Sequence, residues 1–220
     1  MTKVRVAESV LKANDAVAHD NRRRMDAAGV VCVNMMSAPG SGKTTLLQKT
    51  IPMLAPLRCG VLVGDLQTTR DADRLSEATS QVMQINTGRG CHLSAKQVAE
   101  GLATLDLASI DLLFIENVGN MVCPVGFDLG EHGRVALLSV PEGADKVAKY
   151  PTLYQCADAV LLSKSDLVEH LEFDLDMVRS DLDHVTTTAP LILCSAKTGA
   201  GLDEWAAWAR QFVKSVRAGT

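Results

Sequence analysis

Short apolar runs rich in β-branched residues recur along the chain: "VVCVNMM", "CGVLVG", "QVMQI", "DLLFIE", "RVALLSV", "ADAVLLS" and "PLILCS". Each is short enough to be a strand and is bounded by turn-forming residues. Between them, "KTTLLQKTIPML", "SAKQVAEGLATL", "FDLDMVRSDL" and "LDEWAAWARQFVKSV" read as helices. Strands that alternate with helices predict a mainly parallel sheet flanked by helices on both faces, and the near-continuous hydrophobicity of the strands fits that burial. Ahead of the first strand, Val6, Val10, Ala13 and Val17 recur with helical period among polar residues, which predicts an amphipathic helix closed by Gly29. The chain therefore divides into a helical arm over 1–28, expected to dock a partner, and an α/β domain over 29–220. In such sheets ligands gather beyond the carboxyl ends of the strands, so the loops that follow them hold the candidate chemistry.

Composition narrows the class. The chain has 220 residues, 47% of them hydrophobic, enough for a full core. Its net charge is −4, and apart from Arg22-Arg23-Arg24, expected to be a solvated helix end, its cations are scattered. No nucleic-acid face is expected. No apolar run approaches a membrane span and the N-terminus lacks a signal-peptide core, so a cytoplasmic protein is expected. In a reducing compartment, six irregularly spaced cysteines are thiols or metal ligands rather than a disulfide framework.

After the first strand comes "SAPGSGKTT", Ser37 to Thr45, followed by a helix. This is the phosphate-binding loop G-x-x-x-x-G-K-[ST], with Ser37 in the first glycine position. Pro39, Gly40, Ser41, Gly42, Lys43, Thr44 and Thr45 are the candidate phosphate ligands. The glycines let backbone N–H groups turn toward an anion at a helix N-terminus, Lys43 should reach the β- and γ-phosphates, and the Thr44 hydroxyl suits Mg²⁺.

Two later strand ends point to guanine. "LLSKSD" and "LILCSAK" resemble the N-K-x-D and S-A-K signatures of GTPases. The Asp166 carboxylate can accept from two donors on guanine that adenine lacks, Lys164 can lie along the base, and Ser195 and Ala196 complete the pocket. Ser163 replaces the usual asparagine, so a hydrogen bond is expected to be missing there. Two acidic loops finish the site. Asp65, in "GDLQTTRDADRL", is expected to orient water or Mg²⁺. Glu116 to Gly119, in "ENVGN", resembles a D-x-x-G switch in which the acid supports Mg²⁺ and the Gly119 N–H senses the γ-phosphate. With Lys43, these two acids are the candidate catalytic groups. No arginine or glutamine identifies itself as an accelerator, so slow turnover is expected.

"TGRGCHLSA" sets Cys91 beside His92, and "ENVGNMVCP" sets Cys123 four residues beyond Gly119. Thiolate and imidazole together suit Zn²⁺ or Ni²⁺ rather than Mg²⁺. Three ligands leave a tetrahedral set incomplete, to be filled by water, a nucleotide-controlled group or a second subunit. Cys32, Cys59, Cys156 and Cys194 read as small buried hydrophobes, His19, His170 and His184 as surface residues, and His132 as a weaker ligand or switch residue.

Taken in order, "SAPGSGKTTLL", "GDLQTTRDADRL", "TGRGCHLSA", "ENVGNMVCP", "FDLGEHGRVALLSVPEGADKVAKYP" and "ADAVLLSKSDL" closely resemble the hydrogenase nickel-incorporation GTPases, the HypB family. The resemblance runs from about Val30 to the C-terminus. It implies a P-loop GTPase of the SIMIBI class, with GTP/GDP, Mg²⁺ and Ni²⁺ or Zn²⁺ as ligands. Cys91, His92 and Cys123 match the family's metal site. The implied partners are a second copy of the chain in a nucleotide- or metal-dependent homodimer, a small zinc- and nickel-binding maturation protein, and the precursor of the nickel-iron hydrogenase large subunit. Residues 1–28 hold no cysteine and only His19, so nickel storage is not expected. A urease-accessory-like nickel GTPase, a metal scaffold with a decayed nucleotide site, and a small-molecule P-loop kinase are the alternatives.

Overall fold

The computed structural model describes residues 3–65, 70–88, 90–185 and 188–219. Residues 66–69 of "GDLQTTRDADRL", Arg89 of "TGRGCHLSA" and the side chain of Val6 lie outside the described residues. Helix α1 (Lys3–Ala27) leads into β1 (Val31–Ser37) and α2 (Lys43–Thr50), then β2 (Cys59–Asp65), α3 (Arg70–Ser76), β3 (Gln81–Asn86), α4 (Ala95–Leu102) and β4 (Leu112–Glu116). The second half runs β5 (Gly133–Ser139), α5 (Lys146–Lys149), α6 (Pro151–Gln155), β6 (Ala159–Ser163), α7 (Leu175–Val185), β7 (Leu191–Leu193) and α8 (Leu202–Gly219). All seven strands form one sheet in the order β3-β2-β4-β1-β5-β6-β7. Every described pairing is parallel.

Alternate residues of each strand face opposite layers. Val31, Val33 and Met35 of β1 join Leu46, Leu47, Phe114 and Trp205 in a core that includes residues of α2 and α8. On the opposite face, Met36 packs with Leu138, Leu162 and Tyr154, while Cys32 packs with Met25, Leu62, Leu93 and Val98. Leu93 follows the Cys-His pair directly, so that loop is rooted in the core one residue beyond His92. β1, at the centre, carries the phosphate loop at its carboxyl end. β2 and β4 end beside it on the acids Asp65 and Glu116, and Glu116 pairs in register with both Met35 and Val63. No described helix is long and apolar enough to cross a membrane.

Helix α1 departs from expectation in its buried face. Val10 is 53% exposed and Ala13 is exposed, whereas Asn14, Ala18, Asn21 and Met25 face the domain. Hydrogen bonding rather than an apolar stripe selects that face. Asn14 donates through Nδ2 to Asp128 O (2.7 Å) and accepts at Oδ1 from the N–H of Ala95 (2.9 Å). Asn21 Nδ2 donates to Ala95 O and Leu129 O at 2.8 and 3.0 Å. Buried asparagines are tolerated on such a face because their amides are matched by backbone groups. The arginine triplet is likewise more than a solvated helix end: Arg22 Nε donates to Gly130 O and Arg24 Nη2 to Leu102 O, although Arg23 pairs only with neighbouring Asp20. From Asn14 onward α1 is built into the domain. Gly29 terminates it as expected, in the left-handed region (φ +70°), while the Val30 N–H returns to Met25 O.

Candidate functional site

The phosphate loop follows from its sequence. Gly40 and Gly42 adopt φ of +73° and +99°, a region disfavoured for other residues, and α2 begins directly at Lys43. Ser37, where a glycine was expected, ends β1 in extended conformation and needs no such freedom. Its buried hydroxyl lies 2.5 Å from Ser41 Oγ and accepts from Lys43 Nζ at 2.7 Å. Burial lowers the pKa of Lys43, and the nearby carboxylate of Glu116 opposes that shift. Gly119 packs against Pro39: a Cβ at position 119 would lie 2.7 Å from the Pro39 Cα and 2.8 Å from its nitrogen. Only glycine lets the turn after β4 approach Pro39 this closely.

Two adjoining cavities occupy this end of the sheet. One, of about 490 Å³, is lined by Pro39, Gly40, Lys43 and Thr44 together with Asp65, Glu116 and Gly119. Thr44 Oγ1 donates to Glu116 Oε1 at 2.6 Å, and Glu116 Oε2 is buried with no hydrogen-bond partner among the described residues. Burial raises the Glu116 pKa to about 7, against the opposing pull of Lys43 and Thr44. An orphaned carboxylate oxygen beside a hydroxyl is a hard-oxygen donor set that suits Mg²⁺. Two further groups lining this cavity, Asp71 and Arg74 of α3, were not singled out from sequence. Arg74 Nη2 donates to Thr45 Oγ1 at 2.8 Å and to Gln48 Oε1 at 3.3 Å. Two arginines one turn apart in "TTRDADRL" were the available signal, but only the fold shows which one faces the loop.

The second cavity, of about 290 Å³, is lined by Ser41, Gly42, Ser163, Lys164, Asp166, Ser195 and Ala196 among others. Lys164 is the one described non-glycine residue with positive φ (+57°), and its Nζ donates to Gly40 O at 2.7 Å. Such strain persists where surrounding contacts hold it. Ser195 Oγ donates to Asp166 Oδ1 at 2.6 Å, and that bond lowers the Asp166 pKa, keeping the carboxylate ionised as an acceptor. Ser163, in the position of the usual asparagine, donates through Oγ to Ser41 O at 2.7 Å, tying β6 to the phosphate loop.

On the same edge of the sheet, Cys91, His92 and Cys123 offer ligand atoms that all lie within 4.8 Å of one another. Cys91 and His92 sit in the bend before α4, whose capping box is built by Ser94 and Gln97. Both side chains can therefore turn to one point, with Cys91 Sγ 3.4 Å from His92 Nδ1. Burial lowers the His92 pKa, and the ring stacks on Phe127 with centroids 3.9 Å apart. The neighbouring Cys123 thiol raises the Cys91 pKa. Two thiols and an imidazole suit Zn²⁺ or Ni²⁺, either of which would be bound with loss of the thiol protons.

The remaining sulfur and imidazole groups fall mostly as expected. Cys32, Cys59 and Cys194 are buried, whereas Cys156 is half-exposed and donates weakly to Leu153 O. His132 is engaged at both ring nitrogens: its Nδ1 accepts from the Cys32 N–H at 2.9 Å and its Nε2 lies 2.8 Å from Asp26 Oδ1, fastening α1 to β1.

This combination of sites has close relatives. Residues 31–193 match the family model "CobW/HypB/UreG, nucleotide-binding domain". The hydrogenase maturation factor HypB of Azotobacter vinelandii is 47% identical over 206 residues, covering 93% of this chain and 68% of the relative. The chain belongs to the HypB family. Among solved structures, HypB from Helicobacter pylori in complex with nickel superposes with a TM-score of 0.89 at 40% identity, covering 92% of this chain and 96% of that one. The signal recognition particle 54 kDa protein of Aeropyrum pernix in complex with GDP shares the fold alone, with a TM-score of 0.54 at 13% identity over 85% of this chain and 50% of that one. That likeness agrees with the parallel, helix-flanked sheet that the sequence predicted.

Proposed function

We propose that this chain is a cytoplasmic GTPase that carries nickel to the large subunit of nickel-iron hydrogenase, with hydrolysis timing the hand-over. The observation that carries this reading is the segment from Glu116 to Cys123, which lines the phosphate cavity at one end and supplies a ligand of the Cys/His cluster at the other. Asp166, Lys164, Ser195 and Ala196 bind guanine, while residues 39–45 and Gly119 bind the phosphates. Thr44, Glu116 and Asp65 hold Mg²⁺, which when bound neutralises charge on the β- and γ-phosphates. Lys43, held by Ser37, supplies positive charge toward the transferring group, and Asp65 orients the attacking water. Phosphoryl transfer needs such positioning and charge stabilisation more than covalent chemistry.

Cys91, His92 and Cys123 hold Ni²⁺ or Zn²⁺ as cargo. Their incomplete set leaves a position for a ligand from a second copy of the chain or from a small metal-binding maturation protein. The exposed Val10 and Leu11 of α1 offer that protein an apolar foothold. The test is Mg²⁺-dependent GTP turnover: Lys43→Ala should abolish it without unfolding the domain. Equal turnover in wild type and variant would defeat the assignment.

A further inference from the structure

Cys91 and His92 lie on a different stretch of chain from the switch, so covalent continuity links only Cys123 to it. The crossing is made by a side chain. Asn117, 1% exposed, is fixed to the sheet by its own N–H, which donates to Met35 O at 3.1 Å, and by Nδ2, which donates to Asn34 Oδ1 at 3.2 Å. Its oxygen Oδ1 accepts twice: from the Val118 N–H at 3.0 Å, inside the switch, and from the Leu93 N–H at 3.2 Å, directly after His92.

We propose that Asn117 is a positioning residue that couples the switch to the metal loop, because one amide oxygen serves a donor from each. This rests on the reading above, in which nucleotide controls the cluster. An amide oxygen has two lone pairs, and here both are used. A buried N–H without an acceptor is costly, so neither donor can swing away without re-aiming the oxygen the other needs. The surrounding bonds aim the coupling at the metal ligands. At the near end of the loop, the Thr87 N–H and hydroxyl both donate to Asp65 O, at 3.0 and 3.3 Å. In the loop after β4, Asn120 Oδ1 accepts from the N–H groups of Val122 and Cys123 at 2.8 and 3.2 Å. Both halves of the ligand set are thus held in part by one segment, 116–120, whose Gly119 rests on Pro39 of the phosphate loop.

The test is a ratio: Ni²⁺ affinity of protein loaded with GDP against protein loaded with a non-hydrolysable GTP analogue. A merely structural asparagine would weaken both affinities alike and leave the ratio unchanged. Couplings of this kind are typically about 5- to 150-fold. Wild type should show such a ratio, and Asn117→Ser, too short to reach Leu93, should bring it to within about twofold of one. A ratio in Asn117→Ser that equals the wild-type ratio overturns the inference alone. A wild-type ratio of one overturns both the inference and nucleotide control of the cluster. Hydrogen exchange at the Leu93 amide of the unaltered protein gives a second test that needs no variant to fold. Its protection should differ between the two nucleotide states, and identical exchange overturns the proposal.

Discussion

Glu116→Gln separates the cost of a buried carboxylate from its use. Burial lifts the Glu116 pKa from 4.5 to about 7 in the ligand-free protein. At about 1.4 kcal/mol per pH unit, that rise amounts to roughly 3 kcal/mol against the ionised form. The sign follows from proton binding: between these two pH values the folded chain holds the proton more tightly than the unfolded chain, so this group's contribution to stability declines as pH rises and levels off above about 7. The glutamine variant never ionises. It should therefore be more stable than wild type at pH 8, by up to about 3 kcal/mol, with the difference shrinking as pH is lowered toward the ordinary carboxylate range. Denaturant unfolding of ligand-free protein at several pH values measures this. The same group makes Mg²⁺ binding proton-linked, because the carboxyl must ionise to ligate. Wild-type Mg²⁺ affinity in the presence of GTP analogue should rise about tenfold between pH 6 and 8, as the ionised fraction of such a group does, while the variant should bind weakly at both. A variant less stable than wild type at pH 8, or a wild-type Mg²⁺ affinity that ignores pH, would refute the reasoning.

Three further outcomes are expected. Asp166→Asn exchanges an acceptor for a donor, so preference should move from GTP toward xanthosine triphosphate; at about 1.5–3 kcal/mol per charged hydrogen bond, GTP affinity should fall at least about tenfold in competition binding. Gly119→Ala sets a methyl group 2.7 Å from the Pro39 backbone. Overpacking of about 1–3 kcal/mol against the phosphate loop should lower analogue affinity roughly 5- to 150-fold, and unchanged binding would show that the loop yields freely. Burial lowers the pKa of His132, whose Nδ1 must stay unprotonated to accept from Cys32. Its contribution is therefore complete above the ordinary histidine value near pH 6.5 and is lost as pH falls below it, so unfolding of His132→Gln should show less acid sensitivity than wild type between pH 7.5 and 5.5.

The central strands were legible because they are buried on both faces and read as near-continuous apolar runs, and only the edge strands β3 and β7 are half-buried among those described. Helices α3, α5 and α6 escaped notice: they have seven, four and five residues and lack room for a helical period. On α1 the period was real but chose the wrong face, since the asparagines that hold the helix to the domain look polar and solvated until their backbone partners arrive from 74 to 114 residues away. The candidate nucleotide and metal residues stand out in the sequence for a different reason, as their spacing is dictated locally by a turn, a helix start or a strand end. Asn117 was printed in "ENVGN", yet its second acceptor bond exists only because β4 and the turn after β3 end on the same edge of the sheet.

Control of a Cys91–His92–Cys123 nickel site by nucleotide state can be read by titrating Ni²⁺ into wild-type protein in its GDP and GTP-analogue states while following thiolate-to-nickel absorption. A thiolate band should appear in wild type and disappear in Cys91→Ala and Cys123→Ala, with affinities in the two nucleotide states differing by at least about fivefold. Equal affinities in the two states, or a band that survives both substitutions, would contradict this reading.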